Sequence, residues 1–360
     1  MLKEIIFSLL LIQSIQLFAQ QNVDTTPKES IIQVGGYAEM YYSYSKNATD
    51  LKSDFLFNHK RNNQFAINVA MVNATYTAEK TRAKIGIMFG DYAQYNYDGE
   101  PNWAQFIYEA NFGTLISKKH NIWLDAGVFP SHIGFETPLA NDCWSATRSI
   151  VSENSPYYEA GVKLSHSSKN KKSTVALFYL NGWQKIIKPS DVSRPSFGLQ
   201  YTYTPNDRFT INYSNFVGRC QPDSLKSLRI YNDIFLKFAA TKKIGVIIGF
   251  DFGNDSYQLN KTSWWFTPIV IGRFKIKERN YISVRNEYLF DKNQIIIKNL
   301  DNKESSIYGC SLNYDRQLTE KSIFRIEFKH YSSTNKIFGN KSNLFSETQN
   351  YFTAGFSIKL

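Results

Sequence analysis

Cysteine is scarce, with three in 360 residues. Cys143, Cys220 and Cys310 are an odd number at wide spacing, which gives neither a disulfide framework nor a zinc pattern. Proline numbers only 10 and charged residues only 20%. Long apolar runs are missing too. After residue 20 nothing approaches the roughly 18 to 20 apolar residues a spanning helix needs, which excludes a helical membrane protein. The five histidines, His59, His120, His132, His166 and His330, show no metal-ligand spacing. There is no nucleophile elbow and no phosphate loop. The sequence therefore leads us to expect no metal, no cofactor and no enzyme. What it has in quantity is aromatic residues, 23 Tyr and 27 Phe among them, together 16% with Trp. That is ample β-favouring apolar surface, and it excludes a disordered chain.

The first residues have their own character. Lys3 precedes the apolar run Ile5 to Ile12, and the chain turns polar from Gln13, with Ala19 the best cleavage position. This reads as a signal peptide over 1–19, followed by a short segment over 20–30. Export without a second apolar helix leaves a soluble secreted protein or a β-barrel over 31–360.

Alternation recurs along that stretch. Ala83, Ile85, Ile87 and Phe89 stand against Lys84, Gly86, Met88 and Gly90. Phe324, Ile326 and Phe328 oppose Arg325, Glu327 and Lys329. Period two means strands with one apolar and one polar face. About sixteen such strands of about ten residues each can be read, the length a tilted membrane strand needs. The segments 64–79 and 263–275 are ambiguous, the second because of Pro268, so fourteen or eighteen strands stay open. Connections alternate between tight turns, such as Lys118-Lys119-His120, and long segments at 45–63, 130–156, 182–194 and 332–348. That order is the layout of an all-β, antiparallel transmembrane barrel with short periplasmic turns and long external loops. Phe352, Ala354, Phe356, Ile358 and Leu360 share one face of a final strand.

The net charge of +11 invites a nucleic-acid reading, but no binding motif appears and the aromatics follow strand parity. The polar face of the strands is near balance. Lys84, Lys163, Lys237, Arg273, Arg285, Arg325, Lys329 and Lys359 oppose Glu39, Glu109, Asp125, Glu159, Asp233, Asp251, Glu287 and Glu327. The surplus sits in turns such as Lys118-Lys119 and Lys242-Lys243, a basic collar facing anionic headgroups or solvent. An Arg or Lys facing lipid at the midplane costs about 2–4 kcal/mol. Glu109, Asp125, Arg285, Glu287, Arg325, Glu327 and Lys329 are therefore expected inward, as pore-lining candidates. Parity alone predicts that Ile326→Arg impairs assembly while Arg325→Ala folds nearly normally. Trp123, Phe129 and Tyr201 are bulky residues expected to point inward.

Gly127-Val128-Phe129-Pro130-Ser131-His132-Ile133-Gly134-Phe135-Glu136, then Asn141, Arg148-Ser149, Pro156-Tyr157, Gly161 and Asn181-Gly182-Trp183, resemble the OmpL-like β-barrel porins of Bacteroidetes outer membranes. The resemblance covers roughly residues 30 to 360 and implies an outer-membrane location and a pore, without a known substrate. By the same resemblance the long connection 130–156 folds into the barrel and narrows it. Glu136, Asn141, Asp142, Trp144 and Arg148 are its constriction candidates. Their charges, with Glu153, predict weak selectivity tilted toward cations. The leading expectation is a passive diffusion channel for small hydrophilic solutes in a Gram-negative outer membrane. Its partners would be outer-membrane lipids and the barrel-assembly machinery, with self-association left open. A plugged barrel acting as adhesin, receptor or structural anchor is the alternative, and an outer-membrane hydrolase is the third reading.

Overall fold

A computed structural model describes residues 30–46, 48–257, 261–298, 304–339 and 345–360. The expected signal peptide lies outside the described residues. From Ile31 onward the alternating segments form strands. The first eight are β1 (Ile31–Tyr44), β2 (Gln64–Thr77), β3 (Thr81–Phe89), β4 (Ile107–Ser117), β5 (Ile122–Pro130), β6 (Tyr158–Ser167), β7 (Ser173–Leu180) and β8 (Ser196–Asn206). The next seven are β9 (Phe209–Gly218), β10 (Leu228–Ala239), β11 (Ile244–Tyr257), β12 (Lys261–Lys277), β13 (Asn280–Asp291), β14 (Ser305–Gln317) and β15 (Ser322–Ser333). Two-residue strands β16 (Phe338–Gly339) and β17 (Phe345–Ser346) pair within one loop, and β18 (Thr348–Lys359) ends the chain. Helices α1 (Asp91–Asn96) and α2 (Ile150–Glu153) also lie in loops.

Strands β1 to β15 and β18 pair antiparallel, each with its neighbour, and β18 returns to β1 to close a sixteen-stranded barrel. Closure leaves no edge, the condition for a sheet in lipid. Tyr37 pairs with Lys359 and Tyr44 with Phe352, so first and last strands register over eight residues. Pro268 sits inside β12 after all. It keeps its place opposite Phe250 on β11, but pairing with β13 skips from Phe266–Phe290 to Ile269–Glu287. A residue without an N–H can remain in a strand only where one ladder is given up.

The period of two puts apolar side chains outward all round. Val72, Ile85, Phe112, Leu177, Phe197, Ile248, Val270, Leu312 and Phe328 are among the large exposed apolar residues. Such a surface is stable against hydrocarbon and not against water. Tight turns between β4 and β5, β6 and β7, and β12 and β13 carry Asn121, Lys171 and Arg279 in the left-handed region. Long loops gather at the other end, except between β11 and β12, where only residues 258–260 intervene.

Candidate functional site

The inner wall is layered. Near the long-loop end the inward residues are apolar or aromatic: Phe129, Phe178, Phe216, Tyr231, Trp265, Leu289, Ile307, Tyr331 and Tyr351 belong to one buried cluster. Loop residues Phe55, Leu56 and Phe338 pack into the same cluster. Below that collar lies a belt of charge. Below the belt, Thr202, Thr204, Thr210 and Asn212 bring hydroxyls and amides inward on β8 and β9, bonded in pairs across the two strands.

The loop between β5 and β6 crosses the lumen and is clamped to the wall by that belt. Arg325 donates to the carbonyls of Ala140 at 2.6 Å, Ser145 at 2.9 Å and Cys143 at 2.8 Å. Arg285 donates to the Thr147 carbonyl at 2.8 Å and to Glu327 at 2.8 Å, with Glu136 at 3.5 Å. Lys329 donates to the Arg148 carbonyl at 2.8 Å and pairs with Glu287 at 3.0 Å. The carboxylates serve the loop's amides in turn. Glu327 accepts from Thr147 N and Glu287 from Ile150 N, both at 2.6 Å. A loop inside a barrel has lost water as a partner for its backbone, and ionised side chains make the strongest replacements. Within the loop, Arg148 donates to the carbonyls of Thr137, Ala146 and Pro138. Glu136 accepts from the Ser149 amide at 2.8 Å. Ser149 also caps α2.

The loop reaches the far wall as well. On the inward face of β11, a Cβ on Gly245 would meet Trp144 at 2.6 Å and one on Gly249 would meet Phe135 at 3.0 Å. Bare backbone at those two positions lets the loop's rings approach the sheet closely. The His132 carbonyl accepts from Gln200 at 2.9 Å and Ser214 at 2.7 Å, and its ring bonds Glu159 at 2.7 Å.

A second connection enters from above, between β1 and β2. Glu153 accepts from the amides of Phe57 at 2.9 Å and Asn58 at 3.1 Å, joining the two loops. His59 Nε2 lies 2.7 Å from Glu39. Lys52 is buried, with Thr353 at 3.5 Å and the Tyr351 ring at 5.0 Å as the partners of its ammonium among the described residues. Burial, then the charge of Lys329, pushes its pKa down to about 7.

The structure places all seven wall candidates on the inward face. It brings Arg285, Glu287, Arg325, Glu327 and Lys329 together beneath the loop, 0 to 3% exposed, so these five face loop backbone and not open lumen. Glu109 and Asp125 stand apart on β4 and β5. Asp125 is held by Arg82 at 2.6 Å and Lys163 at 3.6 Å, and Glu109 lies 3.9 Å from Lys84. Of the loop candidates, Glu136 and Arg148 are interior braces. Asn141 donates to the Lys321 carbonyl at 3.2 Å and Asp142 pairs with Lys359 at 2.5 Å, pinning the loop at the short-turn end. Tyr201 corrects the expectation: it pairs with Val175 and Tyr213 on the outer face and is 40% exposed. The phenol tolerates an interfacial setting, so its residue type did not reveal its side.

Sequence reasoning missed Arg82, Arg229, Asp255 and Asp315, which also point inward. Arg229 forks onto Asp255 with two bonds of 2.8 Å, and its guanidinium carbon lies 4.8 Å from the Trp183 ring centroid and 5.0 Å from that of Trp265. It missed the docking of the first loop too, although Phe55-Leu56-Phe57 is an apolar triplet in a polar connection. Two cavities flank the level at which the loop crosses. One of about 430 Å³ at the long-loop end is lined by Trp183, Tyr95, Lys185 and Arg219 among others. One of about 310 Å³ lies between the crossing loop and β9 to β12. Among the described residues, no three His, Cys, Asp or Glu side chains gather as a metal set, and the three cysteines are free.

Comparison with known proteins agrees with this geometry. The model of the family described as "Putative beta-barrel porin-2, OmpL-like" matches residues 31–360. Solved structures with the same fold include an anion-selective porin from Comamonas acidovorans, at TM-score 0.61 and 8% identity over 92% of this chain and 100% of that one. The outer membrane channel DcaP of Acinetobacter baumannii gives 0.61 and 10%, over 94% and 100%. OmpT of Vibrio cholerae, an outer membrane protein solved as a trimer, gives 0.60 and 8%, over 92% and 100%. No curated protein matches the sequence.

Proposed function

We propose, from the premise that this chain belongs to the OmpL-like family of β-barrel porins, that it is an outer-membrane channel for passive diffusion of small hydrophilic solutes. The observation that carries the reading is a closed barrel whose lumen is narrowed by a loop clamped to one wall, with partly exposed cations on the walls left uncovered. A channel needs a wet, polar-lined path and no catalytic constellation, so we propose no enzymatic activity and no cofactor. Export by a cleaved signal peptide and insertion by barrel-assembly machinery reading the final apolar-faced strand complete the proposal. Self-association is part of it, in keeping with the trimer among the similar structures. The lining roles fall to Arg82, Lys84, Lys163, Lys237, Glu109 and Asp125, and the loop-holding roles to the five buried wall residues. A planar-bilayer recording of the purified chain tests this. Discrete conductance steps are expected, and a silent, correctly folded protein would refute the channel.

A second reading is favoured by one observation. Loop residues fill the aromatic collar at the long-loop end, as a plugged adhesin, receptor or anchor would require. Silence in the bilayer, with folding shown by altered gel mobility of unboiled samples, is the outcome that supports it.

A further inference from the structure

The cavity between the crossing loop and β9 to β12, about 310 Å³ in volume, has a composition that selects a ligand class. Phe135, Phe235, Ile247 and Ile271 make most of its wall apolar, and the Trp144 indole lies at its edge. Into this apolar space projects Lys237, whose ammonium is 5.4 Å from the Trp144 ring centroid. Arg273 approaches the same ring at 6.0 Å.

The acids that could neutralise these cations are already engaged. Asp142, which also lines the cavity, is bound by Lys359 at 2.5 Å. Asp315 serves Arg273 at 2.9 Å and Arg325 at 3.2 Å together. Glu136, on the cavity wall, is engaged by Ser149 and Arg285. Among the described residues, Lys237, Arg273, Arg325 and Lys359 thus share Asp142 and Asp315, and Glu136 is matched by Arg285, which leaves a local excess of positive charge. No carboxylate lies within ion-pair distance of Lys237 among the described residues. An unmatched cation at the edge of an apolar wall attracts an anion, and the wall rewards an anion with an apolar body over a fully hydrated one. The volume equals roughly ten waters' share of liquid, at the small end of ligand sites.

We infer that this cavity is a binding site for small organic monocarboxylates, the carboxylate on Lys237 and the apolar body between Phe135, Phe235 and Ile271. The inference names a solute class for the channel proposed above and rests on that reading only for passage, not for binding.

The test uses the full-length protein in detergent and in planar bilayers, with benzoate as probe and acetate, benzyl alcohol and benzylammonium as controls. Titration calorimetry is expected to show benzoate binding at least tenfold tighter than any control. Lys237→Gln should weaken it at least tenfold, and Lys237→Arg should preserve it. Heat-modifiable gel mobility shows that each variant is folded. In bilayers, benzoate should reduce the potassium chloride current reversibly in the wild type and not in Lys237→Gln. Benzoate binding no better than benzyl alcohol, or unchanged in Lys237→Gln, overturns the site. Calorimetric binding that depends on Lys237 in a protein without any salt current leaves the site standing and removes the channel. Salt current without benzoate binding does the reverse.

Discussion

Arg325 and Ile326 are neighbours with opposite environments. Ile326 pairs with Tyr314 and Ala354 on the outer face, and Arg325 reaches three loop carbonyls and Asp315 on the inner one. Parity in the sequence shows that Arg325 points inward. It does not show that loop backbone, not water, waits there, because a carbonyl group carries no residue identity. The structure therefore reverses one expectation. Arg325→Ala should cost about 3–5 kcal/mol, the loss seen when a buried charge network loses one partner. Ile326→Arg should cost about 2–4 kcal/mol near the midplane. Urea unfolding of both variants in lipid vesicles checks the order. An Arg325→Ala protein as stable as wild type would mean that water, not Arg325, satisfies the loop.

At the level of elements, strands were legible from their own pattern, whereas the entry of the loop over 130–156 was legible by resemblance alone and that of the first loop not at all. A strand announces itself by a local period of two; around Pro268 that period is lost, and only the ladder to β11 shows that the register holds. Docking of the two entering loops depends on contacts across 96 residues, as between Phe57 and Glu153, and no local pattern encodes such a pair. The first loop has a pH dependence of its own. Lys52 faces Lys329, Glu153, Glu327 and Lys60, and its pKa is lowered to about 7 by burial. From about 10.5 down to about 7 the released loop holds a proton that the docked loop refuses. Docking is therefore strongest above pH 10.5, weakens as pH falls toward 7, and is flat below. Amide hydrogen exchange at residues 52–58, corrected for its intrinsic pH dependence, should show more opening at pH 7 than at pH 9. Lys52→Met should abolish the difference. Equal opening in the wild type at both values would show that Lys52 stays charged in place.

For the whole molecule, two properties follow from what the crossing loop covers. It buries Glu136, Glu153, Glu287 and Glu327, while Lys84 keeps 51% of its side chain exposed, Arg82 36% and Lys163 28%. The exposed groups set the field that an ion meets within a Debye length of about 8 Å, and these three cations outnumber their partners Glu109 and Asp125 by one. Where the sequence leads to an expected tilt toward cations, the exposed wall predicts a weak tilt toward anions. A zero-current potential across a salt gradient should carry the anion sign and move toward zero when Lys84, Lys163 and Lys237 are all changed to Gln. Unchanged selectivity in that triple variant would place the ion path elsewhere. Replacing residues 140–147 with a short Gly-Ser linker should raise conductance several-fold, and an unaltered conductance would mean that this stretch does not limit flow.

The aromatic collar makes this protein two solvents' work in one chain. Outside, the strands are held by a bilayer, where every broken backbone hydrogen bond goes unreplaced. Inside the ring, Phe55, Phe338, Tyr331 and their neighbours are held by the same aversion to water that folds a small soluble domain. Such a core melts with a positive heat-capacity change. Heating or mild urea should dissolve this inner globule while the hydrogen-bonded cylinder survives, so that two transitions appear where a bare barrel would give one. The intermediate would be an empty tube, wider than the native protein and more permeable than either its folded parent or any single-loop variant.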